Sequence, residues 1–265
     1  MTEDTVQRFY EQEAKVYDEA RFKSHQGMYS DFIQKSTVLE LIGECKGKHI
    51  LEIGSGTGRF TRELAKRGAH VVCVDLSRKM HEQSRLTLRY DGAEYFVMSG
   101  LTLGFADESF DGCLTVNVMS HIKNDSGIFE EVRRVLKKGG FFVANFPNLS
   151  GLYFPVGELV NLTERSLQAP VYSKWYSIGS LFGSLRSAGL DPVRVLGRAI
   201  FPKKRCPNIL FECLKRLDHW LLHLGIDFLS GDLFVKSRNL SVVDLSAYPY
   251  QHVILRISSG EHRLT

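Results

Sequence analysis

Three glycines punctuate the stretch Glu52-Ile53-Gly54-Ser55-Gly56-Thr57-Gly58, directly after the apolar run from residue 49 to 53. Glycine at such a handover lets the backbone turn sharply and approach a ligand that a Cβ would exclude. A helix starting there offers its free N–H groups to an anion, here a carboxylate. Asp75 ends the next apolar run, 17 residues after Gly58, where a carboxylate can accept from both hydroxyls of a ribose. The pair implies a nucleoside above the first strand without saying which, and the glycine turn alone would serve a dinucleotide or a tight structural turn equally well. His121, just past the fourth apolar run, carries an imidazole that titrates near neutrality, as proton removal from an acceptor requires. A structural histidine bonded at a strand end is the stronger competing reading. His219 and His223 share one helix face at chelating spacing, but Trp220 stands where a metalloprotease helix has Glu and no third ligand is evident, so no metal is expected.

The elements that must position these groups alternate. Apolar positions at helical spacing from Thr2 to Arg21, and again through Phe32, Val38, Leu39 and Ile42, read as cap helices. Short apolar runs at 49–53, 70–74, 93–98, 112–118 and 140–146 read as strands, with helices at 60–66, 77–88 and 125–136 between them. Strands alternating with helices predict a doubly wound α/β fold with a mainly parallel sheet and a crevice at the strands' C-terminal ends. Beyond Pro147 the pattern loosens, then resumes with a helix at 178–188, a strand at 191–197 and an amphipathic helix at 207–224. Either 233–236 or 253–257 supplies the last strand. The expected organisation is cap helices over 1–44, a ligand-binding domain over 45–240 with an insertion at 148–176, and a C-terminal extension over 241–265.

Composition bounds the partners. With 43% hydrophobic and 24% charged residues the 265-residue chain can bury a sizeable core, and its net charge of +4 is spread among interleaved acids and bases, which disfavours a nucleic-acid partner. The five cysteines are scattered without a Cys-x-x-Cys pair, no apolar run approaches a membrane span, and the N-terminus lacks a secretory pattern, so a cytoplasmic location is expected. Lys203-Lys204-Arg205 and the apolar helix after it, residues 203–224, could bring the chain to an anionic membrane surface or a lipid. The oligomeric state is not legible.

Several motifs in order carry a resemblance. Residues 50–58, Val74-Asp75-Leu76-Ser77 with Met80, Leu103-Gly104-Phe105-Ala106-Asp107-Glu108-Ser109-Phe110-Asp111, His121-Ile122 and Val135-Leu136-Lys137-Lys138-Gly139-Gly140 stand as in the class I S-adenosylmethionine-dependent methyltransferases. The chain resembles that family from about Tyr10 to Lys236, including a cap helix with Ala14, Tyr17 and Asp18. The resemblance implies a seven-stranded Rossmann-like sheet and S-adenosylmethionine as methyl donor. It implies that Gly54 and Gly56 approach the methionine part, with Ser55 and Gly58 also binding the cofactor, that Glu52 helps hold its amino group, that Asp75 binds the ribose, and that Leu76 and Met80 flank the adenine. Where many members carry an Asp after the third strand to accept from the adenine amino group, this chain has Ser99, with Gly100 behind it. Asn117, at the end of the fourth strand, is expected beside the cofactor. It is not followed by the Pro-Pro-aromatic of amino-group methylation, so a small, partly apolar acceptor with oxygen or carbon as nucleophile is expected ahead of nitrogen, RNA or protein. Tyr17, Tyr29 and Trp175 are the aromatics expected to line its pocket. A nicotinamide-dependent oxidoreductase and a non-catalytic cofactor-binding regulator are the rival readings; the first lacks a catalytic Tyr-x-x-x-Lys, and the second rests on Ser99.

Overall fold

A computed structural model of the chain describes residues 3–87, 92–151, 154, 174–198, 208–223 and 229–240. Three helices precede the sheet: α1 (Glu3–Glu13), α2 (Tyr17–Phe22) and α3 (His25–Ile42). The single helix expected over 2–21 is broken at 14–16, where Ala14 is buried and Val16 N–H donates to Glu13 O at 3.0 Å. The break lets α2 fold back on α3 while α1 runs elsewhere.

Seven strands form one sheet: β1 (His49–Ile53), β2 (His70–Asp75), β3 (Ala93–Val97), β4 (Phe110–Thr115), β5 (Leu136–Pro147), β6 (Leu190–Arg198) and β7 (Asp232–Asn239). Their order is β3-β2-β1-β4-β5-β7-β6. The first five run parallel, and β7 lies antiparallel between β5 and β6. The helices α4 (Arg59–Lys66), α5 (Arg78–Thr87), α6 (Asp125–Val135) and α7 (Ile178–Ser187) flank the sheet, and α8 (Asn208–His223) precedes β7. The order reverses between β1 and β4, so a crevice opens beyond their C-terminal ends.

Side chains alternate across the strands. In β1, Leu51 and Ile53 join a core with Ile128, Phe129 and Val132 of α6. Ile50 joins a second core with Val38 and Leu41 of α3 and Phe60 and Leu64 of α4. Each face of the sheet is thereby covered, as a parallel sheet requires.

The strand expected over 112–118 runs from Phe110 and stops at Thr115. Asn117 takes a left-handed φ of 61°, with its N–H donating to Asn145 Oδ1 at 2.6 Å, which draws the backbone out of the ladder. β5 begins earlier than expected, with Leu136 paired to Phe110 before an irregularity in register. The last described strand contains 233–236, while 253–257 lies outside the described residues. In α8 Phe211 is fully buried while Ile209, Leu210, Leu217 and Trp220 are exposed. Lys203, Lys204 and Arg205 and the side chains of His219 and His223 lie outside the described residues, and no described helix is long and apolar enough to cross a membrane.

Candidate active site

The glycine turn is pinned to β2 by backbone: Gly54 N–H and Ser55 N–H both donate to Val74 O, at 2.7 and 3.2 Å. Its three glycines have φ of 70°, 54° and 77°, a region other residues enter at a cost. They differ in what surrounds them. A Cβ on Gly54 would lie 2.2 Å from Val118 Cγ2, and one on Gly58 2.1 Å from Ser84 Oγ, whereas one on Gly56 would meet nothing within 4 Å. Gly54 and Gly58 are spaces already filled by the protein. Gly56 borders a cradle that its own Cβ would begin to fill.

Asp75 closes the same turn. Its Oδ2 accepts Gly56 N–H at 2.9 Å and its Oδ1 accepts Ser77 N–H at 2.8 Å, leaving a further lone pair on each oxygen. Burial raises the Asp75 pKa, and the Ser77 and Gly56 N–H groups oppose that rise. A fixed acceptor pair beside an open backbone cradle could hold a ribose diol and the chain attached to it.

The other expected cofactor residues are placed less directly. Glu52 is buried between β1 and α4, where Thr61 Oγ1 donates to its Oε2 at 2.6 Å. Desolvation pushes its carboxyl up to about 7, against the pull of Thr61, Arg59 and Arg62. Ser55 is also buried, its hydroxyl 3.2 Å from His81 Nε2, and burial holds His81 neutral with a pKa near 4. Met80 is fully buried and Leu76 partly so. Gly100 is a packing glycine, since a Cβ there would lie 2.8 Å from Ile53 Cγ2. Ser99 Oγ donates to Glu3 Oε1 and accepts Leu101 N–H at 3.0 Å.

The cap is tied to each loop at the mouth. Tyr10 Oη lies 3.2 Å from His121 Nε2, Thr57 Oγ1 donates to Asp18 at 2.6 Å, and Lys79 N–H donates to Glu11 at 3.3 Å. Arg59, the first residue of α4 and almost buried, donates through Nε to Asp31 of α3 at 2.8 Å and sits 3.6 Å over the Phe22 ring. Tyr17 is partly buried beside Tyr10, their ring centroids 6.1 Å apart. Burial raises the pKa of both phenols, so each keeps its proton. Which of Tyr10 Oη and His121 Nε2 donates depends on the imidazole tautomer. The pairing has the parts of a proton-accepting dyad.

Beyond β4 and β5 lies an amide cluster. Asn117 shares contacts with Gln34 of α3 at 3.4 Å, and Asn145 Nδ2 donates to Asn117 Oδ1 at 3.1 Å and to Asp232 Oδ1 at 3.5 Å. Asn117 thus faces the cap and β5. Residues 174–176 bound the same end: Lys174 N–H donates to Ser120 O at 2.9 Å, and Tyr176 Oη donates to Met119 O at 3.0 Å. Trp175 between them is partly buried, edge-on to Phe154 at 5.2 Å. Tyr29 instead packs edge-on to Phe211 of α8 at 5.5 Å, a contact between cap and helix.

Sequence reading passed over Asn145, Asp232, Gln34 and Glu3. Asn145 had a signal, for it is a polar residue inside the apolar run Phe141 to Phe146, and a buried amide must find partners. Glu3 and Gln34 had none, since they reach the mouth only through the placement of α1 and α3.

A doubly wound sheet with a reversed β7, a glycine turn at the switch point and a carboxylate at the end of β2 defines a Rossmann-like fold. The methyltransferase domain family matches residues 51–144, from β1 through β5. A demethylmenaquinone methyltransferase of Tropheryma whipplei is 29% identical over 203 residues, covering 70% of this chain and 83% of that protein. A ubiquinone biosynthesis O-methyltransferase of Cereibacter sphaeroides is 29% identical over 167 residues, covering 59% and 66%. Among solved structures, magnesium protoporphyrin IX methyltransferase of Synechocystis PCC 6803, with S-adenosylhomocysteine bound, shares the fold at a TM-score of 0.63 and 13% identity, covering 91% of this chain and all of that one. Over residues 51–144 the chain carries a methyltransferase domain, and it is similar to class I S-adenosylmethionine-dependent methyltransferases. It is a methyltransferase, and the oxidoreductase reading falls away.

Proposed function

We propose that this chain binds S-adenosylmethionine with Gly54, Gly56 and Asp75 and methylates an oxygen or carbon of a small, partly apolar molecule. The Tyr10–His121 contact carries the reading, because it sets an imidazole against a cap phenol just past the end of β4, where a proton can be taken from the acceptor. When bound, S-adenosylmethionine supplies a methyl carbon made electrophilic by its sulfonium. The protein aligns the acceptor and excludes water, a contribution of roughly 7–11 kcal/mol when fully realised. His121 Nε2 takes the acceptor's proton, directly or through Tyr10, whose phenol passes its own proton to Nε2 as it receives one. Trp175 and Tyr17 supply apolar wall, and Asn117 with Asn145 supplies the polar end. The names of two relatives, which act on demethylmenaquinone and in ubiquinone biosynthesis, favour a hydroxylated or quinone-like ring.

Incubating the protein with methyl-labelled S-adenosylmethionine and a cell extract, then partitioning label among protein, RNA and organic-soluble fractions, tests the acceptor class. Label in the organic fraction is expected, and label confined to RNA or protein overturns the small-molecule reading. For the cofactor, S-adenosylhomocysteine at a hundredfold excess over its dissociation constant should stabilise the protein by about 2.7 kcal/mol. Asp75→Ala should remove most of that gain; an unchanged shift overturns the ribose assignment.

A further inference from the structure

At the exit of β3 stands a carboxylate that the surrounding loop does not supply. Ser99 follows β3 by two residues, beside the exit of β2, where Met98 N–H donates to Asp75 O at 3.2 Å. The Ser99 hydroxyl spends its one proton on Glu3 and one lone pair on Leu101 N–H. It is thereby committed as a mount for Glu3, whose second oxygen has no partner among the described residues.

The helix that carries Glu3 is placed by other contacts. Glu3, Tyr10 and Glu11 are separated by seven and eight residues, so they project from one face of α1. That face meets Ser99, His121 and the Lys79 backbone in turn. The seven residues between Glu3 and Tyr10 rise roughly 10 Å, which carries the helix obliquely over the exits of β3, β2, β1 and β4. Glu3 therefore lies at the β3 end of the mouth, on the far side of Asp75 from the glycine cradle.

We infer that Glu3, held by Ser99, accepts a hydrogen bond from the exocyclic amino group of the adenine and makes the cap helix a determinant of nucleobase specificity. This rests on the S-adenosylmethionine reading above. The chemistry is direct. An amino group needs an acceptor, a carboxylate is a stronger one than a hydroxyl, and the Ser99 proton is already given away. A 6-oxo base would present an acceptor to the same carboxylate and be repelled.

The test compares binding of S-adenosylhomocysteine and S-inosylhomocysteine, its 6-oxo counterpart, by calorimetry to the wild-type chain, Glu3→Gln and Ser99→Ala. Glu3 is exposed, so its replacement leaves the fold intact. The wild type should favour the adenine compound. Glu3→Gln should weaken it by about tenfold while binding the 6-oxo compound as well or better, because the glutamine amide can donate to the oxo group. Ser99→Ala should erode the same preference. A parallel weakening of both compounds, as a mere strap would give, overturns the inference, as does an unchanged preference. Wild-type protein that binds neither compound overturns the cofactor reading and this inference with it, whereas binding that depends on Asp75 but not on Glu3 overturns the inference alone.

Discussion

On the β1–β3 side of the mouth, Asp75 and the glycine turn are fixed by the backbone of neighbouring turns. Asp75 is bonded to Gly56 and Ser77, and the glycine turn hangs from Val74. On the β4–β7 side the polar groups are fixed by side chains from far along the chain. Gln34 reaches Asn117 across 83 residues and Asn145 reaches Asp232 across 87. In the first arrangement the partners of Asp75 and of the glycine turn are backbone groups of neighbouring residues, which distant side-chain substitutions leave in place. The second can be rebuilt by substituting side chains, so one half can hold a constant ligand while the other varies with the acceptor.

That division can be broken by experiment. The largest effect is expected from His121→Ala, which should lower turnover by about 10²–10⁴-fold with S-adenosylhomocysteine affinity held within about twofold. An equal loss of affinity would erase the distinction between the halves. Next, Gly54→Ala should cost roughly 4 kcal/mol of unfolding free energy, since it adds a left-handed φ penalty to a collision with Val118. Gly56→Ala should cost only about 1 kcal/mol yet abolish cofactor binding. Denaturant midpoints and calorimetry on the two variants separate packing glycine from cradle glycine.

Glu52 gives a pH signature to the first half. Its folded pKa, about 7, lies above the ordinary 4.5, so the folded state holds a proton that the unfolded chain releases between those values. Stability from this group is fully present below about pH 4.5, falls through the window, and is lost above about 7, by roughly 3 kcal/mol in all. Glu52→Gln should flatten that window in urea titrations; an unchanged slope would refute it. A smaller effect belongs to the second half. Asn145→Ala orphans the Asn117 N–H and should cost about 2 kcal/mol and raise the acceptor KM, leaving cofactor affinity alone.

The same division explains what could be read from sequence. The parallel sheet, the glycine turn and Asp75 were legible because local backbone rules write them into consecutive residues. The exit of β3 was half legible: Ser99 showed as a departure, but its partner Glu3 lies 96 residues away and has no local signature. The early end of β4 was hidden because Val116 and Val118 favour a strand, and only the Asn117–Asn145 bond, a tertiary contact, draws the chain off. Tyr29 looked like a pocket residue by its position in the cap, yet Phe211, on a helix nearly two hundred residues later, claims its ring. The roles of the amide cluster followed from no spacing at all.

Helix α1 contains no fully buried residue. It is clasped by Glu3, Tyr10 and Glu11 at the mouth, so lifting it breaks polar bonds that water replaces and exposes the partly buried Val6, Phe9 and Tyr10. Under the cofactor reading proposed above, release of the spent cofactor is then gated by the opening of α1. Amide hydrogens of α1 should exchange before those of any other cap helix, and a bound ligand should slow them most.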